Sequence, residues 1–234
     1  MPPLTIALIA WWIGGHVWLW RATESVVGDV HAHVALITGQ TRRALEQFVT
    51  APSAVGFEQG VLPSLCYSGF HSGVVAVLFN VVFLWVFGGR LESRAGTLRF
   101  GLFAVIAVLA GAVGHMFGED PSRLRFAVGG GALTAAAIVA YLVLHPRSRM
   151  KLVVPVVVVP IVTAAPAIVI TMAWLAAQYE PVRRFLTIGE AAPLHYLGLA
   201  AGGVAGLLAC PLLMMQRARK PEPKPGQKPR RKPA

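Results

Sequence analysis

Residues Phe70 to Glu92 form an apolar stretch that reads FHSGVVAVLFNVVFLWVFGGRLE. Between His71 and Arg90 it contains no charged residue, and its one amide side chain is Asn80. A helix over this apolar part is about 27 Å long at 1.5 Å per residue, close to the roughly 30 Å of a bilayer's hydrocarbon core. The stretch therefore predicts a transmembrane helix.

The rest of the chain has the same membrane character. Hydrophobic residues make up 56% of the 234 residues and charged residues 13%, about half the charged share of a soluble domain. This composition excludes an ordinary soluble globule and excludes disorder over most of the chain. It predicts an all-α integral membrane domain over 1–215. Six apolar runs have a suitable length for spans, at 4–20, 67–88, 97–118, 126–145, 152–175 and 191–215.

Lys and Arg are divided unequally between the two sets of connections. Those after the second, fourth and sixth runs carry fourteen Lys and Arg and two acidic residues, whereas the others carry seven and eight. Because positively charged connections stay on the cytoplasmic side, we expect both termini to be cytoplasmic. The chain is compact and shows no recognisable targeting extension, which favours the inner membrane of a bacterium.

Two polar segments flank the predicted spans. The 21–66 segment is predicted to be an extracytoplasmic loop, in which Thr41–Val49 (TRRALEQFV) has the apolar spacing of a short helix lying on the membrane surface. The 216–234 tail is basic and proline-rich, so we expect it to be disordered and to contact anionic lipid headgroups. Since membrane topology explains the excess of positive charge, nucleic acid is not an expected partner.

Three glycines, Gly129, Gly130 and Gly131, precede the fourth run. From Gly131 to His145 there is only about 22 Å of helix, too short to cross a bilayer alone. We therefore expect this helix to begin below the membrane surface, reached by a glycine-rich loop beside a cavity. A helix N-terminus in a cavity presents free N–H groups and a positive dipole, which suit an oxyanion.

The sixth run contains His195-x-x-Gly198-x-x-x-Gly202. The two glycines lie on one face, where another helix can approach closely, but close packing does not explain the histidine beside them. The isolated His16 and His115 are interpreted as packed or interfacial side chains. Cys66 and Cys210 are expected at opposite ends of their spans, too far apart for a disulfide, and no cofactor or metal pattern is present.

These pieces together resemble the rhomboid family of intramembrane serine proteases, over about Gly60 to Leu213. The second run is similar to the family's F-x-H-x-G-x-x-H-L-x-x-N segment with its trailing F-G and Glu, and Ala140–Arg149 (AYLVLHPRSR) is similar to the family's A-Y-L-x-L-x-P-x-x-R. The resemblance implies a six-helix bundle of the rhomboid kind. The other matching residues are His71, Asn80, Phe87, Gly88, Glu92, Pro160, Pro166, Ala167, Trp174, Gln178 and the H-x-x-G-x-x-x-G of the sixth run.

The resemblance also implies that part of the family's catalytic site is missing from this chain. The family's G-x-S-G motif, anchored on the downstream A-Y-L, falls on Gly129–Ala132, so that Gly131 occupies the position of the nucleophilic serine. Ala76 occupies the position of a histidine that helps to bind the oxyanion. His195 remains at the position of the base, and Asn80 remains at that of the oxyanion amide.

The favoured hypothesis is a pseudoprotease that binds transmembrane segments of client proteins without cleaving them. Glycine has no side chain with which to form an acyl-enzyme, and loss of the nucleophile removes nearly all catalysis of the triad type. The alternative is an active intramembrane endopeptidase with an unrecognised nucleophile, for which Thr134, Ser68 and Ser72 are poorly placed hydroxyls. A transporter is disfavoured, since the spans show no obvious inverted repeat.

Overall fold

The computed structural model describes residues 2–71, 73–117, 126–156, 159–177 and 193–214, in which the chain is mostly helical. The predicted disordered tail, 216–234, lies outside the described residues. The N-terminal part comprises α1 (Pro3–Arg21), α2 (Glu24–Val34), β1 (Leu36–Ile37) and α3 (Thr38–Thr50). A helical segment follows, made of α4 (Ala54–Gly56), a π-helical turn (Phe57–Val61), α5 (Leu62–Cys66) and a 3₁₀ turn (Tyr67–Gly69).

From Val74 onward, the Phe70–Glu92 stretch lies in one continuous helix. It consists of α6 (Val74–Phe83), a π-helical turn (Leu84–Gly88) and α7 (Gly89–Ala95). A turn at Gly96, with φ of +92°, leads into α8 (Thr97–Phe117). The remaining elements are β2 (Phe126–Ala127), α9 (Gly131–Leu144), β3 (Arg149–Val156), β4 (Val159–Pro166), α10 (Ala167–Ala177), α11 (Pro193–Leu208) and α12 (Cys210–Met214).

Within the described residues, three helices are long and apolar enough to cross a membrane. They are Pro3–Arg21, Val74–Ala95 and Thr97–Phe117, and they match the first three predicted spans. Gly131–Leu144, Ala167–Ala176 and Tyr196–Leu208 are apolar but shorter. The structure therefore supports an integral membrane protein built mainly of helices.

The fifth predicted span needs a correction. We expected one helix over 152–175, but Arg149–Val156 and Val159–Pro166 form an antiparallel hairpin, and the helix begins only at Ala167. The run is rich in valine, which favours strands, and Pro155 and Pro160 cannot donate the N–H bonds of a continuing helix. The described part of the chain is thus mainly helical and contains one long antiparallel hairpin, formed by β3 and β4.

The core is organised around α9, of whose fourteen residues ten are buried. α9 and α11 pack so closely that a Cβ on Gly202 would overlap the main chain of Ala132, and one on Gly206 that of Ala136. Because both partners advance by four residues together, the two helices run parallel. Of the two glycines whose spacing predicted a close helix contact, Gly202 makes it with α9, together with Gly206, whereas Gly198 faces the His115 ring of α8.

The polar segment between α1 and α6 is tied to the bundle. β1 pairs with β2, the strand just before the three glycines, through Leu36 with Ala127 and Ile37 with Phe126. On α3, the Arg42 guanidinium lies 5.1 Å from the centre of the Phe117 ring at the end of α8. The helix predicted over 41–49 is confirmed as part of α3, whereas its position at a membrane surface stays a prediction.

Both cysteines are free thiols, Cys66 partly exposed and Cys210 buried. His115 is buried in α8, as expected for a packed histidine, with its ring against Gly198 of α11 and edge-on to Tyr67 at 5.6 Å between ring centres.

Candidate functional site

Gly129 and Gly130 form a tight loop that leads into Gly131, the first residue of α9. Gly129 has a φ of +130°, a region that residues with a Cβ rarely adopt. Its N–H donates a hydrogen bond of 3.0 Å to the carbonyl of Tyr67. Gly130 precedes the first residue of α9, which is Gly131, so the predicted start of this helix is confirmed. Gly131, which the sequence predicted at the position of the nucleophilic serine, is thus a buried residue in the first turn of the central helix.

His71 holds the loop from the other side. Its Nε2 accepts a hydrogen bond of 3.1 Å from the N–H of Gly130, and the side chain is buried. An Nε2 that accepts carries no proton, so the neutral ring carries its proton on Nδ1. The family-like motif contained His71, but no local pattern could show that it bonds a residue 59 positions away. One N–H at the start of α9 is therefore already satisfied by a side chain.

Trp12 of α1 is a site residue that the sequence did not reveal. Its indole is fully buried and meets the His71 ring edge-on, with ring centres 5.2 Å apart. A Cβ on Gly130 would overlap the indole, so Trp12 fills the space that a side chain there would need. Its only signal in the sequence was its place in an apolar helix, which gives no reason to single it out.

The hydroxyls considered as substitutes for serine are engaged or not described. Thr134 is fully buried, and its Oγ1 donates to the carbonyl of Gly130 at 3.1 Å, one helical turn back. The Ser68 hydroxyl is buried and directed at the carbonyl of Leu65, at 3.4 Å. Ser72 lies outside the described residues. Neither described hydroxyl projects from the position of Gly131.

The two oxyanion positions lie one turn apart on α6, a helix that packs against α9. Asn80 is buried and Ala76 is exposed. The position of Ala76 is therefore an open surface, whereas the Asn80 amide one turn away is covered by its neighbours.

His195 belongs to α11, but its side chain lies outside the described part of the structure. Its main-chain position is informative, because it lies two turns before Gly202, which contacts Ala132, the residue after Gly131. Since α11 and α9 run parallel, the backbone of His195 lies toward the same end of the bundle as the glycine loop at the start of α9. It is about 10 Å from Gly202 along the helix axis. No group of three metal-binding side chains occurs in the described ranges.

Comparison with known families gives one match. The family model for the Rhomboid domain matches residues 61–216, which is two thirds of the chain. The match contains the glycine loop, His71, Asn80 and His195, and it leaves out Trp12 and the rest of α1 to α3. A search of the curated proteins found no match.

Proposed function

The chain belongs to the rhomboid family, and we propose that it is a member that binds transmembrane segments of client membrane proteins without cleaving them. Gly131 carries this proposal. It stands in the first turn of α9 at the position that aligns with the nucleophilic serine, and it has no side chain. A serine-type peptidase needs a hydroxyl there to form its covalent intermediate.

The surroundings of Gly131 support the same proposal. The Gly130 N–H donates to His71 and is not available to a developing oxyanion. The Thr134 hydroxyl is bonded within α9. Ala76 removes a further hydrogen-bond donor from the oxyanion side. Since such donors are worth about a hundredfold or more each in rate, several independent contributions to catalysis are weakened together.

A binding role needs an accessible surface at the same place, and α6 offers one. Ala76 is exposed, as are Val74 and Val75 before it. This apolar surface lies next to the buried Asn80 amide, so a client helix could pack there and offer a main-chain carbonyl to the amide. The proposal includes six spans with both termini cytoplasmic, in a bacterial inner membrane, and the basic tail against anionic lipid.

The decisive experiment is a paired assay in liposomes with a rhomboid-type substrate whose transmembrane helix is unstable near the outer face. Wild type and Gly131→Ser are compared for cleavage, and substrate capture is measured by crosslinking in the same samples. We expect wild type to capture without cleaving. Cleavage by wild type that disappears in His195→Ala would overturn the proposal in favour of an active endopeptidase with another nucleophile, the alternative that the retained His195 and Asn80 favour.

A further inference from the structure

Arg94 and His145 meet at the end of the bundle where α7 turns into α8 and α9 ends. Arg94 lies in the last turn of α7 and is exposed, and His145 is the C-cap that directly follows α9. The Arg94 Nη1 is in hydrogen-bond contact with His145 Nε2. We propose that this pair binds the phosphate of an anionic phospholipid headgroup.

The contact fixes the protonation of the imidazole. A guanidinium can only donate, so the Nε2 of His145 accepts, and the ring is neutral with its proton on Nδ1. Burial, and then the positive charge of Arg94, lower the pKa of His145, which agrees with a neutral ring. The ring is also held edge-on by Tyr141, with 5.0 Å between ring centres.

The pair therefore has N–H hydrogen-bond donors that its own contact does not use. One nitrogen of the Arg94 guanidinium contacts His145, and its remaining N–H groups are available at an exposed position. The Nδ1–H of His145 adds another donor. A phosphate, with several acceptor oxygens and a negative charge, fits this arrangement because guanidinium groups bind phosphate through two parallel hydrogen bonds.

No carboxylate competes for Arg94 in the part of the chain that is described. Glu92, the nearest acidic residue in sequence, is buried and accepts hydrogen bonds from Leu4, Thr5 and Thr97. The ion pair found in the described ranges joins Arg42 to Glu46, on α3. Arg147 and Arg149 are exposed close after His145, so this end of the bundle carries positive charge.

A lipid is a better occupant than free phosphate because apolar surface adjoins the pair. Leu98, in the first turn of α8, is 88% exposed, and Val143, two residues before His145, is 47% exposed. Acyl chains could cover these side chains while the headgroup reaches Arg94. Basic residues at the end of apolar helices attract anionic lipids through the surface potential of the cytoplasmic leaflet.

The test is a titration of the full-length, delipidated protein in detergent with short-chain phosphatidylglycerol, read as the shift in the thermal unfolding midpoint and as an apparent affinity. We expect Arg94→Gln to bind about tenfold more weakly or worse, as for loss of a charged hydrogen-bonding partner. His145→Gln keeps an acceptor for Arg94 and should lose less. Arg21→Gln, which removes the same charge from an exposed site on α1, should bind as wild type does.

Two further ligands test whether a phosphate without acyl chains, or a lipid without net negative charge, binds as well as phosphatidylglycerol does. Inorganic phosphate and phosphatidylcholine of the same chain length should each give a much smaller shift than phosphatidylglycerol. Unchanged affinity in Arg94→Gln would overturn the proposal, since Arg94 would then not bind the headgroup. Equal losses in Arg94→Gln and Arg21→Gln would overturn it too, since binding would then follow total charge. If Arg94→Gln does not fold, Arg94→Lys keeps the charge without the fork, and unchanged affinity in that variant would equally contradict a bidentate site.

Discussion

The carboxylate of Glu92 accepts two hydrogen bonds from Thr5, one from its N–H at 2.7 Å and one from its hydroxyl at 2.8 Å. The other carboxylate oxygen accepts from the N–H of Leu4 and from the hydroxyl of Thr97, each at 2.9 Å. N–H groups in the first turn of a helix have no partner within the helix, and the positive end of the dipole favours a negative charge there. Glu92 of α7 thus completes the start of α1.

Glu92→Gln is predicted to lower the free energy of unfolding by about 2–4 kcal/mol. The amide keeps one acceptor oxygen, but its NH₂ group would face N–H and hydroxyl donors in a buried site. Denaturation in detergent micelles, followed by helical circular dichroism, measures the loss. Ser93→Ala is the matched control on the same helix, because Ser93 is exposed and bonds only within its own turn; a comparable loss in that variant would contradict the role given to Glu92.

Gly202→Ala is predicted to destabilise the bundle by about 1–3 kcal/mol through overpacking of α11 on α9. Its Cβ would overlap the Ala132 main chain, which cannot move aside as a flexible side chain can. The neighbouring Gly203→Ala is the control, since its Cβ would make an ordinary contact of 3.5 Å with Val139. Thermal unfolding of the two variants should separate them, and equal midpoints would mean that the helices can move apart freely.

Several features could be predicted from the sequence because they depend on local pattern. The spacing of Gly198 and Gly202 in the sixth run indicated a close helix contact; Gly202 makes such a contact with α9, and Gly198 faces the His115 ring of α8. The three glycines before a short apolar run located the start of α9 at Gly131. The charge-free part between His71 and Arg90 predicted a helix long enough to span a membrane, and Val74–Ala95 is one.

Other features depend on contacts between distant residues or on a choice that periodicity cannot make. The bond from Gly130 to His71, and the indole of Trp12 against both, join segments far apart in sequence. A helix such as α1, in which apolar residues lie on every side, shows no preferred face, so Trp12 could not be singled out. In the fifth run the only polar side chains are Thr163 and Thr171, and such an apolar run fits a buried strand as well as a helix.

Gly130→Ala is predicted to displace α1 locally and to destabilise the protein, because the new methyl group would overlap the Trp12 indole. The backbone of Gly130, with φ of −78°, accepts alanine without strain, so the effect reports the side-chain overlap alone. Trp12→Leu, combined with Gly130→Ala, should recover part of the loss. A double-mutant cycle on unfolding midpoints measures this coupling.

The control for that cycle is Gly14→Ala. Gly14 lies in α1, as Trp12 does, but nothing lies within 4 Å of its new Cβ. It should be neutral or slightly stabilising, as expected for alanine in place of glycine inside a helix. Additive effects of Trp12→Leu and Gly130→Ala would contradict a direct contact between the two positions.

Supplying a serine at position 131 and a histidine at position 76 tests the proposal that these catalytic groups are missing from a rhomboid site. Gly131→Ser supplies a hydroxyl in the first turn of α9, and Ala76→His adds a donor on α6, where exposed surface leaves room for the ring. We expect Gly131→Ser alone to cleave a transmembrane substrate in liposomes weakly, and the double variant to cleave at least about tenfold faster, because an oxyanion donor contributes mainly to the rate of the chemical step. Adding His195→Ala should abolish the gain. If the double variant captures substrate but does not cleave it faster than wild type, then the hydrogen bond between His71 and Gly130 blocks the oxyanion side even with a serine at position 131. Adding His71→Ala to the double variant should then produce cleavage.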